Sequence, residues 1–146
     1  NISDYRHVLF CCGAKSPRDY IYKDQIFHEW LPLCEKIPLS IRLTVDKADE
    51  TWRYQEGVVT CTLDNPGMDV KEGIAVVCGP PVMMKFATLK LLDVGFPDDH
   101  IYLSMERKMY CAIGHCRHCM IGSRFVCKDG PVFPYSAVKA EPSVWA

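Results

Sequence analysis

Hydrophobic residues recur along this chain with two different spacings, and their order predicts alternating strands and helices. Continuous apolar runs at 8–12 and 74–78 are typical of strands that are covered on both faces. Residues 39–45 alternate between apolar and polar side chains, and 101–104 form a further short apolar run. The segment 81–94 begins with proline and is followed by glycine, as helices commonly are. Two strand–helix–strand units therefore predict an α/β fold with a parallel sheet and flanking helices.

A helix is predicted between the first two strands as well. Ser16 suits the N-cap, Pro17 suits the first helical position, and Asp19 completes a capping box. Apolar residues then recur at helical spacing until Pro32, which is expected to end the helix. Residues 57–60 are ambiguous, since their β-branched side chains favour a strand while their small number favours a turn.

Two loops follow strands at the edge of the sheet where ligands of parallel sheets bind. Each combines a glycine with a predicted helix N-terminus, an arrangement that suits phosphate. Each is also an ordinary turn with glycine and proline in their usual places, and neither Gly-x-Gly-x-x-Gly nor a Walker loop occurs in the sequence. The residues concerned are Gly13, Lys15 and Ser16 in the first loop and Cys78, Gly79, Pro80 and Pro81 in the second.

A cysteine motif near the C-terminus carries the most specific chemistry. Cys111, Cys116, Cys119 and Cys127 follow the pattern Cys-x4-Cys-x2-Cys-x7-Cys, whose first two spacings are those of a plant-type [2Fe–2S] loop. Gly114 would let the loop turn its amides toward the sulfurs, and a small hairpin with strands at 120–121 and 125–126 would return Cys127 to the loop. The alternative is a structural zinc site with four cysteine ligands, although only one two-residue spacing is present.

Basic residues surround this motif, with five lysines and arginines and the single acid Glu106 between residues 105 and 128. They would compensate the negative charge of thiolates around iron or zinc, dock a partner, or tune the potential of the site. His115 and His118 are expected to be loop residues or hydrogen-bond donors, because four cysteines already suffice as ligands. The basic residues are Arg107, Lys108, Arg117, Arg124 and Lys128.

Composition restricts the class of protein. The 146 residues are 49% hydrophobic and carry a formal net charge of −1, so global charge does not indicate a nucleic-acid binder. No apolar run approaches the length of a membrane span, and the first residues do not resemble a signal peptide. Nine cysteines, an odd number, favour free thiols in the cytoplasm over a disulfide framework. We expect an α/β domain over residues 1–106 and a cysteine-rich subdomain over 107–146.

Three stretches in this order resemble a known family. They are residues 78–84 (CGPPVMM), 104–109 (SMERKM) and, after the cysteine motif, 129–133 (DGPVF). The chain resembles the C-terminal half of ferredoxin-reductase-like electron-transfer subunits that use a flavin and NAD(P). It is similar to the gamma subunit of cytoplasmic sulfhydrogenases and to the corresponding electron-transfer subunit of anaerobic sulfite reductase. It is more distantly similar to the electron-transfer subunit of dihydroorotate dehydrogenase.

This resemblance implies a function and a set of sites. Electrons would pass from NAD(P)H through a flavin to a [2Fe–2S] cluster on the four cysteines, and on to a partner catalytic subunit such as a hydrogenase or sulfite reductase. Nucleotide contacts would be made by Cys78, Gly79 and Pro80 beside the nicotinamide, and by Gly13, Lys15, Ser16 and Asp46 near the adenosine half.

The sequence departs from the family at several points. The family often has glycine where Ala112 and Arg117 stand, and Lys15 replaces a more usual arginine. The flavin (FAD) barrel and the first glycine-rich turn of the nucleotide domain are expected to lie outside this sequence. The chain is therefore expected to be part of a longer subunit and inactive alone. The alternative function is a non-enzymatic, zinc-stapled binding domain.

Overall fold

The computed structural model describes residues 5–145, which divide into two compact units at residues 68 and 69. A three-stranded parallel sheet belongs to the first unit, and the other strands belong to the second. The boundary predicted between residues 106 and 107 separates the expected nucleotide-binding and cluster-binding parts. It is a division by cofactor and not by packing, and it stays a prediction.

The first unit contains a three-stranded parallel sheet in the order β1 (Val8–Ala14), β2 (Leu39–Val45) and β3 (Gln55–Glu56). β1 and β2 pair in register along their whole length, from Val8 with Leu39 to Ala14 with Val45. The predicted parallel strands are thus confirmed. Their shared core lies at the carboxyl end of β2 and consists of Tyr20, Ile26, Leu43 and Val45.

The connection between β1 and β2 differs from the predicted continuous helix. A 3-10 turn at Pro17–Asp19 ends early, and Tyr22 adopts a left-handed φ of 57°. A π-helical segment, Gln25–Trp30, then leads into the short α-helix α1 (Leu31–Leu33). Pro32 lies one residue before the end of this helical stretch, so the helix ends at Leu33 and not at Pro32 as predicted. The wider π turn before Pro32 offers room for a ring that would clash with the preceding turn of a regular α-helix.

The tyrosine after the 3-10 turn explains why the helix is interrupted. The hydroxyl of Tyr20 accepts a hydrogen bond from the Thr44 amide at 3.0 Å and lies 2.8 Å from both the Cys12 and Thr44 carbonyl oxygens. Its ring stacks on Trp52 with centroids 5.3 Å apart. Burial raises the pKa of this hydroxyl, so the side chain stays a neutral donor.

The ambiguous segment after β3 forms a 3-10 helix, Val59–Leu63. Arg42 of β2 holds its end, since the guanidinium donates to the carbonyl oxygens of Thr62, Asp64 and Asn65 at 2.7, 3.0 and 2.9 Å. A Cβ at Gly13 would lie 2.8 Å from the Val59 Cβ, so this glycine permits the 3-10 helix to approach β1.

The second unit is built around β4 (Ala75–Cys78), α2 (Pro81–Asp93) and β5 (Ile101–Ser104). β4 and β5 pair in parallel with Ala75 opposite Ile101, which confirms the second predicted strand–helix–strand unit. A further strand that had not been predicted, β8 (Val132–Pro134), pairs antiparallel with β5. The sheet order is therefore β4-β5-β8.

The rest of the second unit carries the cysteine motif and the C-terminal segment. The hairpin β6 (Met120–Ile121) and β7 (Arg124–Phe125) is followed by α3 (Val126–Asp129), and α4 (Tyr135–Val138) follows β8. Val138 and Val144 are buried, so the C-terminal segment packs into this unit. Within residues 5–145, no helix is both long and apolar enough to cross a membrane.

Candidate metal centre and nucleotide loops

The cysteine loop turns its backbone amides toward a sulfur atom, as the sequence predicted. The amides of His115 and Cys116 each donate to the Cys111 Sγ at 3.3 Å. Hydrogen bonds from the amides of Cys116, Ile113 and His115 lower the pKa of the Cys111 thiol. Such bonds favour a thiolate, which is the form that binds iron or zinc.

Three residues of the loop adopt left-handed backbone conformations. Gly114 has a φ of 75°, at which glycine is unstrained. Ala112 and Arg117 have φ values of 57° and 64°, although neither is glycine. These are the two positions at which the resembling family often has glycine. The loop therefore keeps its turn at a cost in backbone strain.

The hairpin brings the fourth cysteine back to the loop. Gly122, with a φ of 56°, forms the turn between β6 and β7. The Val126 amide then donates to the Cys119 carbonyl at 3.1 Å, and α3 begins at Val126 and carries Cys127. The predicted hairpin is present, but its second strand, expected at residues 125–126, lies one residue earlier at Arg124–Phe125.

The four thiols form two neighbouring pairs. The thiols of Cys111 and Cys116 are close enough to shift each other's pKa, and the Cys119 thiol likewise shifts the pKa of Cys127. The amides of His118 and Cys111 and the neighbouring thiol lower the pKa of Cys116 to about 7. The neighbouring Cys119 thiol has the largest effect on Cys127 and raises its pKa. The electrostatic interaction between Cys127 and Cys111 raises it further.

This donor set fits a two-iron cluster. In [2Fe–2S] proteins four thiolates hold two irons, two to each iron, and the two thiol pairs offer that distribution. Within residues 5–145, no three cysteine, histidine or carboxylate side chains are placed around a single metal position. His118 instead lies 4.3 Å from the Tyr110 ring, and its Nδ1 is 3.0 Å from the Cys116 carbonyl oxygen.

The basic residues around the loop have different roles in the structure. Arg107 donates to its neighbour's carbonyl at 2.9 Å and to the Ser143 carbonyl at 2.6 Å, so it anchors the C-terminal segment. Arg107, which was expected to compensate charge, dock a partner or tune the potential of the site, therefore also has a structural role. Lys108, by contrast, lies over the Tyr110 ring, with its Nζ 5.3 Å from the centroid.

The loop after β4 borders a cavity of about 310 Å³. Cys78 is an exposed free thiol, and Gly79 has a φ of 151° that favours glycine. Glu106, just beyond β5, lines the same cavity, and sequence reasoning had not proposed it as a site residue. The available signal was its position at the carboxyl end of the strand beside β4. Cys78 itself is not among the lining residues, which are Gly79, Pro80, Pro81, Met84 and Glu106.

The loop after β1 lies beside the loop after β2. The Asp46 amide donates to the Ala14 carbonyl at 3.0 Å, and the Lys47 amide donates to the Lys15 carbonyl at 3.1 Å. The structure therefore brings Lys15 and Asp46 to one edge of the sheet. Gly13, at the end of β1, packs against Val59 as described above.

Ser16 differs from its predicted role. Its hydroxyl donates to the Asp19 carboxylate at 2.7 Å and caps no amide. The helix that follows is a single 3-10 turn, Pro17–Asp19, so the long helix N-terminus expected to favour phosphate is absent from this loop.

Comparison with known protein families tests these interpretations. The family described as "Oxidoreductase NAD-binding domain" matches residues 2–88, which are more than half of the chain. The chain belongs to the oxidoreductase NAD-binding domain family. The "Iron-sulfur cluster binding domain of dihydroorotate dehydrogenase B" matches residues 106–139, which include all four cysteines of the motif. The descriptions of the two families name an iron–sulfur cluster and NAD. These matches confirm the two types of cofactor that the sequence predicted.

The relatives agree with the resemblance seen in the sequence. Sulfhydrogenase 2 subunit gamma of Pyrococcus furiosus is 35% identical over 144 residues, which cover 90% of this chain and 50% of the relative. The dihydroorotate dehydrogenase B (NAD(+)) electron transfer subunit of Bacillus cereus is 35% identical over 92 residues, 57% of this chain and 33% of the relative. The chain thus spans about half or less of the length of these relatives.

A solved structure supports the fold. An NADH-dependent reduced ferredoxin–NADP oxidoreductase, described for flavin-based electron bifurcation, matches with a TM-score of 0.64 and 27% identity. The match covers 92% of this chain and 47% of that one. A ferredoxin reductase of carbazole 1,9a-dioxygenase has a TM-score of 0.52 at 24% identity, over 66% of this chain and 28% of its own, and shows the fold alone. The predicted ferredoxin-reductase-like α/β fold with an iron–sulfur part is confirmed.

Proposed function

We propose that this chain is the nucleotide- and cluster-binding part of an electron-transfer subunit in a multi-subunit oxidoreductase. Electrons would come from NAD(P)H, pass through FAD held by the remainder of the subunit, and leave toward a partner catalytic subunit. A hydrogenase or a sulfite reductase suits the proposal, because the chain is 35% identical to a sulfhydrogenase gamma subunit.

The observation that carries this proposal is the cysteine loop. The thiols of Cys111, Cys116, Cys119 and Cys127 would be the ligands of a [2Fe–2S] cluster, and the amides directed at the Cys111 sulfur would stabilise its thiolate. When bound, such a cluster takes up and releases one electron at a time. The iron–sulfur family match over residues 106–139 favours iron over the zinc alternative.

The nucleotide half of the proposal concerns two loops. Cys78, Gly79 and Pro80 would lie at the nicotinamide end, because the glycine and the start of α2 border a cavity at the carboxyl ends of β4 and β5. The adenosine half would contact Lys15 and Asp46, which lie at one edge of the first sheet. Gly13 and Ser16 belong to the same loop, where they support its backbone through packing and a local hydrogen bond.

We further propose a cytoplasmic location. All nine cysteines are free of disulfides in the structure, and five of them lie outside the motif. Free thiols of this number are typical of a reducing compartment. Burial raises the pKa of Cys11 and Cys12, so these thiols stay protonated and unreactive.

Anaerobic reconstitution of the chain with iron and sulfide tests the proposal directly. We expect about two irons and two sulfides per chain, with a chromophore that dithionite bleaches. Cys119→Ser should lose most of the iron, whereas Cys78→Ser, which changes an exposed thiol outside the motif, should retain it. One zinc per chain without sulfide, or equal iron loss from both variants, would contradict the proposal.

A further inference from the structure

Three large apolar side chains are exposed around the cysteine loop. Met109, Tyr110 and Ile113 are 46%, 60% and 75% exposed. Tyr110 directly precedes the first cysteine of the motif, and Ile113 lies between the first and second. Single exposed apolar residues are common on protein surfaces, whereas a group of them at one place is typical of an interaction site.

Cationic side chains flank this apolar group. Lys108 lies over the Tyr110 ring, at 5.3 Å from its centroid. The stem of Lys128 lies beside Gly114, because a Cβ built on that glycine would be 3.4 Å from the Lys128 Cδ. Arg117 is exposed in the same loop. None of these three cations forms an ion pair with another residue in the part of the chain that the structure describes.

The apolar residues separate two explanations of the positive charge. Compensation of a negatively charged cluster would account for lysines and arginines, but it gives no reason for exposed isoleucine, tyrosine and methionine. Protein interfaces, in contrast, combine an apolar centre with a polar or charged rim. We call this surface the loop patch, which consists of Lys108, Met109, Tyr110, Ile113, Arg117 and Lys128.

We propose that the loop patch is the docking surface for an acidic redox protein. The apolar residues form its centre, and the three cations form a rim that pairs with carboxylates of the partner. The proposal rests on the proposed function, since it places the partner against the loop that holds Cys111 and Cys116. A nucleic acid fits less well, because phosphates require cations but gain little from an exposed isoleucine.

Two protein probes of opposite charge test the rim. Rubredoxin is a small acidic one-iron protein, and cytochrome c is a basic haem protein. At low ionic strength, rubredoxin should bind the reconstituted chain at least about tenfold more tightly than cytochrome c, and added salt should weaken this binding. Carbodiimide, which joins lysines to carboxylates in direct contact, should link Lys108 or Lys128 to rubredoxin, as mass spectrometry of the peptides would show.

Charge reversal supplies a matched comparison. Lys108→Glu should weaken rubredoxin binding by about tenfold at low salt, with little effect at high salt. Lys36→Glu changes the same charge at an exposed residue of the first unit and should leave binding unchanged. Equal effects of the two substitutions would show that only overall charge matters and would refute the proposed rim.

Removal of the apolar centre has an equally close control. Ile113 and Ile21 are 75% and 74% exposed, so Ile113→Ser and Ile21→Ser remove similar apolar surface at different places. Ile113→Ser should slow electron delivery to rubredoxin by about fivefold, whereas Ile21→Ser should not change it. In this assay the dithionite-reduced chain gives up one electron, and the ferric ion of rubredoxin takes it up.

Metal analysis separates failure of this inference from failure of the proposed function. Both isoleucine variants should retain the iron and sulfide content of the parent chain. A full cluster together with equal binding of both probes would refute the docking surface alone, while absence of a cluster would refute the function. Tight binding of random duplex DNA in competition with rubredoxin would assign the loop patch to nucleic acid instead.

Discussion

Replacing Tyr20 with phenylalanine tests how the first unit joins its helical connection to its sheet. The hydroxyl accepts the Thr44 amide at 3.0 Å and has two carbonyl oxygens within 2.8 Å. Thr44 is fully buried, so water cannot replace the hydrogen bonds that the Tyr20 hydroxyl makes with its amide and carbonyl. An unpaired buried donor costs about 1–3 kcal/mol, and we therefore expect the free energy of unfolding to fall by about 2 kcal/mol. The ring should still stack on Trp52.

The measurement is urea unfolding followed by circular dichroism, combined with hydrogen exchange of the Thr44 amide. For a chain of this length, the expected loss corresponds to a Tm lower by about 6 °C. Tyr22→Phe is the control, because Tyr22 is exposed and its hydroxyl has no hydrogen-bond partner among the described residues. If Tyr20→Phe and Tyr22→Phe agree within about 0.5 kcal/mol and Thr44 exchange is unchanged, the hydroxyl does not hold the sheet.

Three further predictions concern the Arg42 hydrogen bonds, the backbone of the cysteine loop and the activity of the chain alone. Arg42→Lys should lower the free energy of unfolding by about 1–2 kcal/mol in urea, because an ammonium cannot span the three carbonyls. Arg53→Lys, with one local bond, should have little effect. Ala112→Gly removes the backbone strain of a φ of 57° from the cysteine loop, so the reconstituted chromophore should bleach more slowly in air. Ala48→Gly, at an exposed position outside the loop, should not change the rate. The chain alone should show no NAD(P)H-dependent dye reduction, since a hydride carries two electrons and the proposed function assigns the flavin that divides them to the remainder of the subunit; steady turnover with bound flavin would refute this.

Local sequence determined much of the cysteine site. The spacings between Cys111 and Cys119 are short, so the loop that joins them can close through its own amides and through Gly114. The hairpin with Gly122 is equally local, because a turn and two short strands are encoded by neighbouring residues. These features could be predicted, apart from the end of the second strand. The assignment of particular cysteines as cluster ligands stays a proposal.

Residues distant in sequence decided the features that were missed. Arg107 reaches the carbonyl of Ser143, so a residue expected only to contribute charge also anchors the C-terminal segment. Glu106 lines the cavity beside Gly79 because β5 lies next to β4, and no pattern around Glu106 alone shows this. Both relations depend on which strands pair, which a single local pattern does not specify.

The order of the apolar runs and the predicted helices determined the parallel pairs β1–β2 and β4–β5, since strands that alternate with helices allow few other arrangements. The prediction that β4 is covered on both faces was wrong, because Val76 is 69% exposed. The tertiary structure decided how the first connection runs. Ser16, Pro17 and Asp19 favour a helix locally, but the Tyr20 hydroxyl reaches the buried ends of two strands. Its hydrogen bonds and stacking favour an interrupted chain over a continuous helix. Local propensities are worth only tenths of a kilocalorie per mole, whereas burial and pairing of a buried amide are worth more.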